Sequence, residues 1–462
     1  MSKFNKRVIS RSKTSNLAGG FAYTRPLKEE LVFAVLNTFL EDKYYESGDE
    51  RIERIVDLVS KVDAKFVSNL AIVCRKEFNL RSVTTVLLGE LAKTHKGDSL
   101  VMETIVKATP RVDDLTELLA YVGTPIPKQV KRGIRNSLLK FDRYQLAKYK
   151  GETNEVSLVD LFNMVHPKVQ HANKEQKKAW KDLMTDKLVS EDTWESEISN
   201  TKNMKKSWES LVLENKLGYM ALLRNLNNLI KNDISAKAKK KVIEKLTDKE
   251  EVLKSKQLPF RFVTAYKNVT GDRELTDAIS VAMDLAVSNT PELKGKILIA
   301  IDKSGSMSGD PIEKASIFGA TLAKSNNADV VLYSDRLEEF RVSSRTPIID
   351  IADSIESHLL SGGTNTALVF QYLASVNTKY DRVIIISDNE AWVSNVQLAY
   401  REYVNTTGDN PYVYAIDIQG YGTSDITGGK VKHLCGWSNR LLDFIGIAEK
   451  TSIVDYIEKY KS

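Results

Sequence analysis

Oxygen-bearing side chains follow an apolar run near residue 300. The run KILIAID (296–302) ends at Asp302, and Ser304 and Ser306 follow it in DKSGS. One carboxylate and two hydroxyls within five residues could cap a helix, carry a phosphoryl group on the aspartate, or bind a metal ion. A small hard cation such as Mg²⁺ needs about six oxygen ligands at about 2.0–2.1 Å. A metal site would therefore need further oxygens from elsewhere in the chain.

Two other motifs could supply such oxygens. Thr364 ends the sequence GGT, whose glycines let the backbone come close to a ligand, and Asp388 ends the run RVIIISD. A cation held by only two carboxylates among neutral hydroxyls would stay electrophilic. It could then accept one more ligand from another molecule.

An enzymatic use of the same residues is the alternative. A phosphotransferase loop of the haloacid-dehalogenase type needs an acid–base aspartate two residues after its nucleophile, where this chain has Ser304. The motifs GxxxxGK[ST] and GxSxG, and a GxGxxG after the first strand, are absent, and histidines number only 5. We expect a protein that binds rather than catalyses. A metal-dependent phosphotransferase or nuclease remains the rival hypothesis.

Short β-branched runs predict the elements that position these residues. The runs are KILIAID (296–302), ADVVLYSD (328–335), RVIIISDN (382–389) and YVYAIDIQG (412–420). They lack polar alternation, as strands buried on both faces do, and helical stretches lie between them at 311–326 and 366–376. This alternation predicts a doubly wound parallel sheet, whose ligands bind beyond the carboxyl ends of the strands. Asp302 and Asp388 would both lie at such ends.

The order of these motifs resembles the metal-ion-dependent adhesion site of von Willebrand factor A domains. That family has D-x-S-x-S, a threonine in a second loop and an aspartate in a third, which match DKSGS, GGT and SDNE here. The metal ligands that the resemblance implies are Asp302, Ser304, Ser306, Thr364 and Asp388. It also implies a divalent ion, Mg²⁺ being the expected one, and an open position that takes a carboxylate from an acidic protein ligand.

The apolar spacing from about residue 26 to residue 285 is helical. One stripe consists of Ile52, Ile55, Val56 and Val59, and another of Leu222, Leu223, Leu226, Leu229 and Ile230. Glycines and prolines fall between such segments, as in TPRVDD (109–114) and VGTPIPK (122–128). The pattern predicts an all-α array of stacked helix pairs.

Composition and charge place the chain among globular proteins of two or three domains. Its 462 residues are 42% hydrophobic and 28% charged, without a run of about 18 apolar residues that could span a bilayer. Residues 1–290 carry 50 Lys and Arg against 39 Asp and Glu, whereas the remainder carries 17 against 22. The positive excess therefore belongs to the helical part and suggests a polyanionic partner there.

The cysteines and the N-terminal residues give an expectation for the cellular compartment of the protein. Cys74 and Cys435 are the only cysteines, which favours a reducing compartment, and we expect a cytoplasmic protein. The first residues, MSKFNKRVISRSKTSN, are basic without an apolar core, so they predict a flexible arm and not a secretory signal.

The most positive stretch of the chain is 128–150, KQVKRGIRNSLLKFDRYQLAKYK, with eight Lys or Arg and one acid. Its first cations follow i, i+3, i+4, i+7 spacing on one helix face: Lys128, Lys131, Arg132 and Arg135. A phosphate backbone would neutralise such a face, and Tyr144 and Tyr149 could stack on unpaired bases. The alternative is a solvated charged face with core tyrosines.

A helical array followed by an A domain resembles the TROVE-domain family of the Ro autoantigen and its bacterial relatives. The stretches that fit in order are 39–55, 80–92, 109–119, 130–150, 157–168, 192–200, 220–229 and 258–268. The resemblance implies a HEAT-like helical ring that admits single-stranded 3′ ends of misfolded RNAs. It also implies structured Y RNAs on the basic outer surface, through which an exoribonuclease can be tethered.

The resemblance implies particular RNA contacts. They are Lys131, Arg132, Arg135, Lys148, Lys150, His166, Arg224 and Asn225, and the helical spacing adds Lys128. Arg224 could equally brace helices, and His166 could be a satisfied histidine at a helix end. We expect a monomer without a membrane partner, with a basic arm at 1–20, a TROVE ring at 21–287 and an A domain at 288–462. The alternative function is a metal-dependent adhesion scaffold without an RNA role.

Overall fold

The computed structural model describes residues 11–37, 46–150, 155–189, 194–201, 203–269, 271–290, 292–436, 441, 444–445 and 448–461. Contacts divide the chain into two compact units. The α/β unit contains Lys202–Ser452 and the N-terminal segment up to Phe33. The repeat unit contains Gly48–Thr201 and the C-terminal segment from Ile453. Among the described residues, no helix is both long and apolar enough to cross a membrane.

Helices dominate the first 290 residues, as the apolar spacing predicts. In chain order they are α1 (Leu27–Leu36), α2 (Gly48–Lys61), α3 (Ala64–Lys76), α4 (Ser82–Thr94), α5 (Ser99–Ala108), α6 (Val112–Val122), α7 (Lys128–Leu138), α8 (Arg143–Lys148), α9 (Leu158–Val165), α10 (Lys174–Met184), α11 (Trp194–Asn200), α12 (Met204–Leu213), α13 (Tyr219–Lys231), α14 (Ala236–Thr247), α15 (Lys249–Ser255), α16 (Val263–Asn268) and α17 (Arg273–Ala286). Asp, Ser or Asn side chains cap many of them, for example Asp63 at α3 and Asn173 at α10.

Alternate helices of the repeat unit pack on one another in two layers. In one layer α3 packs on α5 and α5 on α7, and in the other α2 packs on α4 and α4 on α6. Gly133 permits the close approach of α7 to α5, because a Cβ there would lie 2.8 Å from Cβ of Ile105. This stacking of helix pairs is the architecture that the sequence predicts.

A buried ionic network fixes the start of α6. Arg75 donates to both carboxylate oxygens of Asp114, with its closest contact at 3.0 Å, and the backbone N–H of Arg111 donates to Asp114 at 3.0 Å. Asp113 accepts from Arg81 and from Arg111, each at 2.6 Å. The two aspartates and the arginine of TPRVDDLTELL thus serve helix packing, since buried carboxylates need such partners.

The α/β unit is built on a six-stranded sheet. Its strands are β3 (Ile297–Asp302), β4 (Asp329–Tyr333), β5 (Leu337–Phe340), β6 (Arg382–Ser387), β7 (Tyr412–Asp417) and β9 (Val431–Cys435). The order is β5-β4-β3-β6-β7-β9, and all neighbours are parallel except β4 and β5. The four predicted strands are all present, and every residue of β3 is buried, which explains its unbroken apolar sequence.

Helices surround this sheet, and some elements carry no clear sequence signal. The helices are α18 (Asp310–Asn326), α19 (Ile348–Ser357), α20 (Ala367–Ser375) and α21 (Val396–Thr407), while α22 (Ile453–Glu458) belongs to the repeat unit. The predicted helices at 311–326 and 366–376 correspond to α18 and α20. The sequence analysis named neither the helices α19 and α21 nor the two strands at the sheet edges, β5 and β9, which are only four and five residues long.

The N-terminal segment is part of the α/β unit. Strands β1 (Lys13–Ser15) and β2 (Phe21–Thr24) form a hairpin, and β2 also pairs with β8 (Thr423–Ser424). The prediction of a flexible arm over residues 1–20 is therefore wrong for 11–20, because strand pairing fixes their backbone. Residues 1–10 lie outside the described residues.

The compact units also differ from the predicted division at residue 287. Helices α12–α17 belong to the α/β unit, and Asp284 on α17 shows why. Its carboxylate accepts from the Lys324 amine at 2.8 Å and from the Ile348 backbone N–H at 3.0 Å. Charged and backbone hydrogen bonds thus join the last helix before the sheet to α18 and α19.

Candidate metal centre and candidate RNA-contact surfaces

The first predicted metal loop leaves β3 at its carboxyl end. Asp302 is fully buried, and its Oδ1 accepts from the Ser304 N–H at 2.8 Å. The Ser304 and Ser306 Oγ atoms lie 3.4 Å apart. Lys303, between the two ligand positions, points away, since its amine donates to the carbonyls of Ile355 and Glu356. Asp302, Ser304 and Ser306 are therefore brought together.

The second loop lies against the first and the third. The Gly305 N–H donates to the Gly362 carbonyl at 3.1 Å, and the Trp392 N–H donates to the Thr364 carbonyl at 3.2 Å. Gly363 makes room for the third loop, because a Cβ there would lie 2.8 Å from the Trp392 side chain. Thr364 is buried at this junction, with 2% of its surface exposed.

The third loop begins where β6 ends, beside β3. Ser387, which sequence reasoning passed over, donates its hydroxyl to Asp302 Oδ2 at 2.7 Å. Asp388 is fully buried, and its Oδ1 accepts from the Glu390 N–H at 3.2 Å. Its Oδ2 is buried without a hydrogen-bond partner. An orphaned carboxylate oxygen in such a place costs free energy unless another group satisfies it.

Burial controls the protonation of both carboxylates. It raises the pKa of Asp302 to about 6, against hydrogen bonds from Ser387 and Ser304 that lower it. It raises the pKa of Asp388 to about 7, with the negative charge of Asp302 as the second cause, and the Ser306 hydroxyl lowers it. A divalent cation between them would relieve both effects, because it favours the ionised forms.

The donor set fits a hard divalent ion. The described residues contain no cluster of three or more His, Cys, Asp or Glu side chains arranged for a metal, so a centre here depends on hydroxyl oxygens. Asp302 has both oxygens engaged and suits binding through water, whereas Asp388 offers a free oxygen. Neutral oxygens with few carboxylates suit Mg²⁺, which retains waters and dehydrates reluctantly.

The N-terminal segment holds the third loop, a feature without a signal in the sequence. The Asn16 side-chain amide donates to the Ala391 carbonyl at 2.8 Å, and the Ala18 N–H donates to Glu390 Oε2 at 3.1 Å. Gly20 lies so close that a Cβ would be 1.9 Å from the Ala391 carbonyl oxygen. Residues 16–20 therefore fix the backbone that follows Asp388.

Helix α7 carries the predicted basic face in the repeat unit. Lys128 and Arg132 are exposed and Lys131 is partly exposed, while Val130 and Ile134 face the core. Among the described residues, no carboxylate pairs with any of these three cations. Helix α7 itself contains no acid, so its positive charge is uncompensated along the helix.

Arg135 has a structural contact in addition to its place on this face. Its Nε–H donates to the Val165 carbonyl at the end of α9. His166 follows directly, exposed and with a left-handed backbone at φ 51°. The bond from Arg135 thus places the turn with His166 beside the basic helix, which brings these predicted residues together.

Lys148 and Lys150 lie in a different setting at the end of α8. The Lys150 amine pairs with Asp186 at 2.5 Å, so part of its charge is compensated. The Lys148 amine lies 5.9 Å from the centre of the Tyr144 ring. Arg111 lies 4.8 Å from the centre of the Tyr149 ring. The two tyrosines therefore contact cations of the protein.

Arg224 and Asn225 belong to the α/β unit, on α13. Arg224 is exposed and available for contact with a ligand. The Asn225 amide donates to the Ala221 carbonyl at 2.8 Å, and its oxygen accepts from Asn228 at 2.9 Å. Asn225 therefore takes part in side-chain bonds along its own helix.

Sequence reasoning missed a second basic face in the repeat unit. Helix α10 exposes lysines at the same i, i+3, i+4, i+7 spacing as α7: Lys174, Lys177, Lys178 and Lys181. None of the four pairs with a carboxylate among the described residues. The opposite face buries Ala179, Trp180 and Leu183. The spacing in KEQKKAWK was the available signal.

Comparisons with known proteins find matches to both the helical part and the α/β part of the chain. A model of the TROVE domain matches residues 183–274, and a model of the Ro60 vWA domain matches residues 296–445. Mouse telomerase protein component 1 is 41% identical over 83 residues, which are 18% of this chain and 3% of that protein. RNA-binding protein RO60 of Caenorhabditis elegans is 27% identical over 260 residues, which are 49% of this chain and 40% of that protein.

A bacterial relative extends the comparison. RNA-binding protein RO60 of Deinococcus radiodurans is 25% identical over 232 residues, covering 44% of this chain and 43% of that protein. The chain thus spans less than half the length of the curated relatives it matches. The crystal structure of the Deinococcus radiodurans RO (RSR) protein superposes with a TM-score of 0.65 at 18% identity, covering 92% of this chain and 99% of that chain. Residues 183–274 thus match the TROVE domain and residues 296–445 match the Ro60 vWA domain, the two domains that the sequence resemblance predicts.

Proposed function

We propose that the protein binds RNA without catalysing a reaction. In this proposal small structured, Y-like RNAs bind the basic surface, and single-stranded ends of misfolded RNAs enter the hole of a helical ring. The protein would act in RNA quality control or as a scaffold of a ribonucleoprotein. Two relatives carry the name RNA-binding protein RO60, which supports this choice.

The uncompensated basic face of α7 is the observation that carries the proposal. Lys128, Lys131 and Arg132 have no carboxylate partner among the described residues, and the exposed His166 lies on the adjoining turn. Cations that the protein does not neutralise attract phosphates, and each contact releases counterions. Such a face binds RNA strongly at low salt with little sequence preference.

The metal centre has a separate proposed role. Asp302, Ser304, Ser306, Thr364 and Asp388 would hold Mg²⁺, which when bound would polarise and orient a carboxylate from an acidic protein ligand. Trp392 and Val393 follow the third loop with 55% and 45% of their surface exposed. An apolar rim beside a cation suits a protein ligand better than a phosphoester substrate, which also disfavours the nuclease hypothesis.

Location and further partners follow from the same proposal. Both cysteines are buried free thiols, which suits a reducing compartment such as the cytoplasm. An exoribonuclease would be tethered through a bound structured RNA and not through direct contact. In this proposal the protein binds RNA as a monomer.

The test is RNA binding by fluorescence anisotropy, with a labelled stem-loop RNA that has a single-stranded 3′ tail. The variant Lys128→Glu/Lys131→Glu/Arg132→Glu should weaken the affinity at least about tenfold and flatten its salt dependence. A control with the same charge change, Arg341→Glu/Arg345→Glu/Lys450→Glu, alters exposed cations of the α/β unit. Equal losses in both variants, or no binding by the wild type at low salt, would refute the proposal.

The adhesion scaffold without an RNA role is the second candidate, favoured by the exposed Trp392 and Val393. In that case Asp388→Asn would abolish binding of a protein partner, whereas reversal of the α7 charges would change nothing. A wild-type protein that binds no RNA but shows Mg²⁺-dependent binding of an acidic peptide would support this candidate.

A further inference from the structure

A cleft of about 530 Å³ opens on the α/β unit between α16, α18 and α19. Its floor is apolar, with Ile317 and Ile349 almost fully buried and Tyr266 forming a partly exposed wall. The volume suits a bound side chain or short segment, since ligand sites typically measure about 300–1,000 Å³. None of the five residues proposed as metal ligands lines the cleft.

The rim of the cleft is acidic. Asp353 and Glu356 lie three residues apart on α19, and the exposed Asp350 continues the row by one more turn. A rise of 1.5 Å per residue makes this row roughly 9 Å long. Glu313 on α18 adds a carboxylate to the lining.

The negative charge of this row exceeds the positive charge beside it. Lys267 pairs with Glu313 at 2.5 Å and its charge also acts on Asp353, and the charge of Lys303 acts on Glu356, but among the described residues no cation forms an ion pair with Asp353 or Glu356. Burial raises the pKa of Asp353, with the charge of Asp350 as the next cause. Carboxylates gathered around an apolar floor favour an incoming cation, because it restores electrostatic balance.

We propose that this cleft docks a basic segment of a partner protein. An apolar side chain of the segment would occupy the floor between Ile317 and Ile349. Its Lys or Arg residues, spaced one helical turn apart, would pair with Asp353 and Glu356. A row about 9 Å long exceeds the reach of one small cation. RNA is disfavoured because its phosphates would meet carboxylates.

The experiment measures binding of a fluorescein-labelled peptide to the full chain. The peptide has 14 residues, with Arg at every third position and Leu at the positions between the arginines. A peptide with Glu in place of Arg is the paired probe. We expect anisotropy to show binding of the basic peptide only, and Asp353→Arg/Glu356→Arg to weaken it at least tenfold. The isosteric Asp353→Asn/Glu356→Gln should weaken it severalfold, which keeps the test valid if the reversal disturbs folding.

The control Glu292→Arg/Glu402→Arg makes the same charge change at exposed acids outside the cleft and should leave the affinity within twofold. A photo-crosslinker on the peptide should label residues 263–267 or 349–357. Absence of binding by the wild type, equal losses in the control, or crosslinks elsewhere would overturn the inference. RNA affinity should be unchanged in both cleft variants, which separates this outcome from the RNA proposal.

Discussion

Arg25 and Asp417 form an ion pair at 2.7 Å with both side chains completely buried. The pair joins the end of the N-terminal hairpin to the carboxyl end of β7, although 392 residues separate the two in sequence. Arg25 also donates to the Ser424 hydroxyl at 3.0 Å and to the Tyr421 carbonyl, and its guanidinium lies 4.0 Å from the centre of the Phe33 ring. The N-terminal segment is therefore built into the α/β unit.

Replacing Arg25 by Met should destabilise the α/β unit strongly. Removing one partner of a buried pair leaves a charge without compensation, which costs about 3–5 kcal/mol. The free energy of unfolding, measured by urea denaturation, checks this. Lys61→Met is the control, because the Lys61–Asp57 pair is exposed and should contribute less than about 1 kcal/mol. Equal effects of the two substitutions would contradict the prediction.

Mg²⁺ should stabilise the protein more at pH 8 than at pH 6. Burial raises the pKa of Asp302 to about 6 and of Asp388 to about 7, so the folded apo-protein takes up protons on acidification through this range. Without metal these two carboxylates contribute more stability as the pH falls, whereas a cation must displace their protons. The measurement is the difference in melting temperature between MgCl₂ and EDTA at each pH.

Taking this difference cancels titrations that do not involve the metal, such as that of His433. Burial holds the pKa of His433 well below its usual range, so it destabilises the fold as the pH falls below about 6.5 with or without Mg²⁺. Asp388→Asn should abolish the Mg²⁺ effect at both pH values. A shift that persists in this variant would place the ion elsewhere.

The lysines of α10 should contribute to RNA affinity independently of α7. Reversing Lys177 and Lys178 to Glu removes two unpaired cations from the exposed face without touching the buried Trp180. We expect weaker RNA binding. The plot of log affinity against log salt concentration should also be less steep, because about two fewer counterions are released. Anisotropy titrations at several salt concentrations check this. Reversal of Lys240 and Lys254, exposed lysines of the α/β unit, is the control.

The sequence predicted most of the fold because buried strands and amphipathic helices leave local patterns, and the residues proposed as metal ligands were found through the same strand ends. Buried parallel strands such as β3 and β6 have unbroken apolar sequences, and their ends carry Asp302 and Asp388. The pairing of Arg25 with Asp417 could not be predicted, because partners this far apart leave no periodic signal. Arg135 was assigned to RNA from helical spacing, and only the structure shows its bond to the Val165 carbonyl.

Gly20→Ala should lower the affinity for Mg²⁺ although Gly20 is not a ligand. A Cβ at Gly20 would lie 1.9 Å from the Ala391 carbonyl oxygen, a backbone atom that can move only with the loop that follows β6. The displacement would reach Asp388 through the loop, so the Mg²⁺-dependent shift in melting temperature should shrink. Gly218→Ala is the matched control, because no atom lies within 4 Å of a Cβ there.

A comparison of Gly20→Ala with Arg25→Met distinguishes a direct effect on the loop after β6 from general destabilisation. Arg25→Met lowers stability without pressing on Ala391, so at equal loss of stability it should retain more Mg²⁺ affinity than Gly20→Ala. Isothermal titration of each folded variant with MgCl₂ measures this. Equal Mg²⁺ affinities in Gly20→Ala and Gly218→Ala would show that residues 16–20 do not position the third loop, because only the first substitution forces it to move.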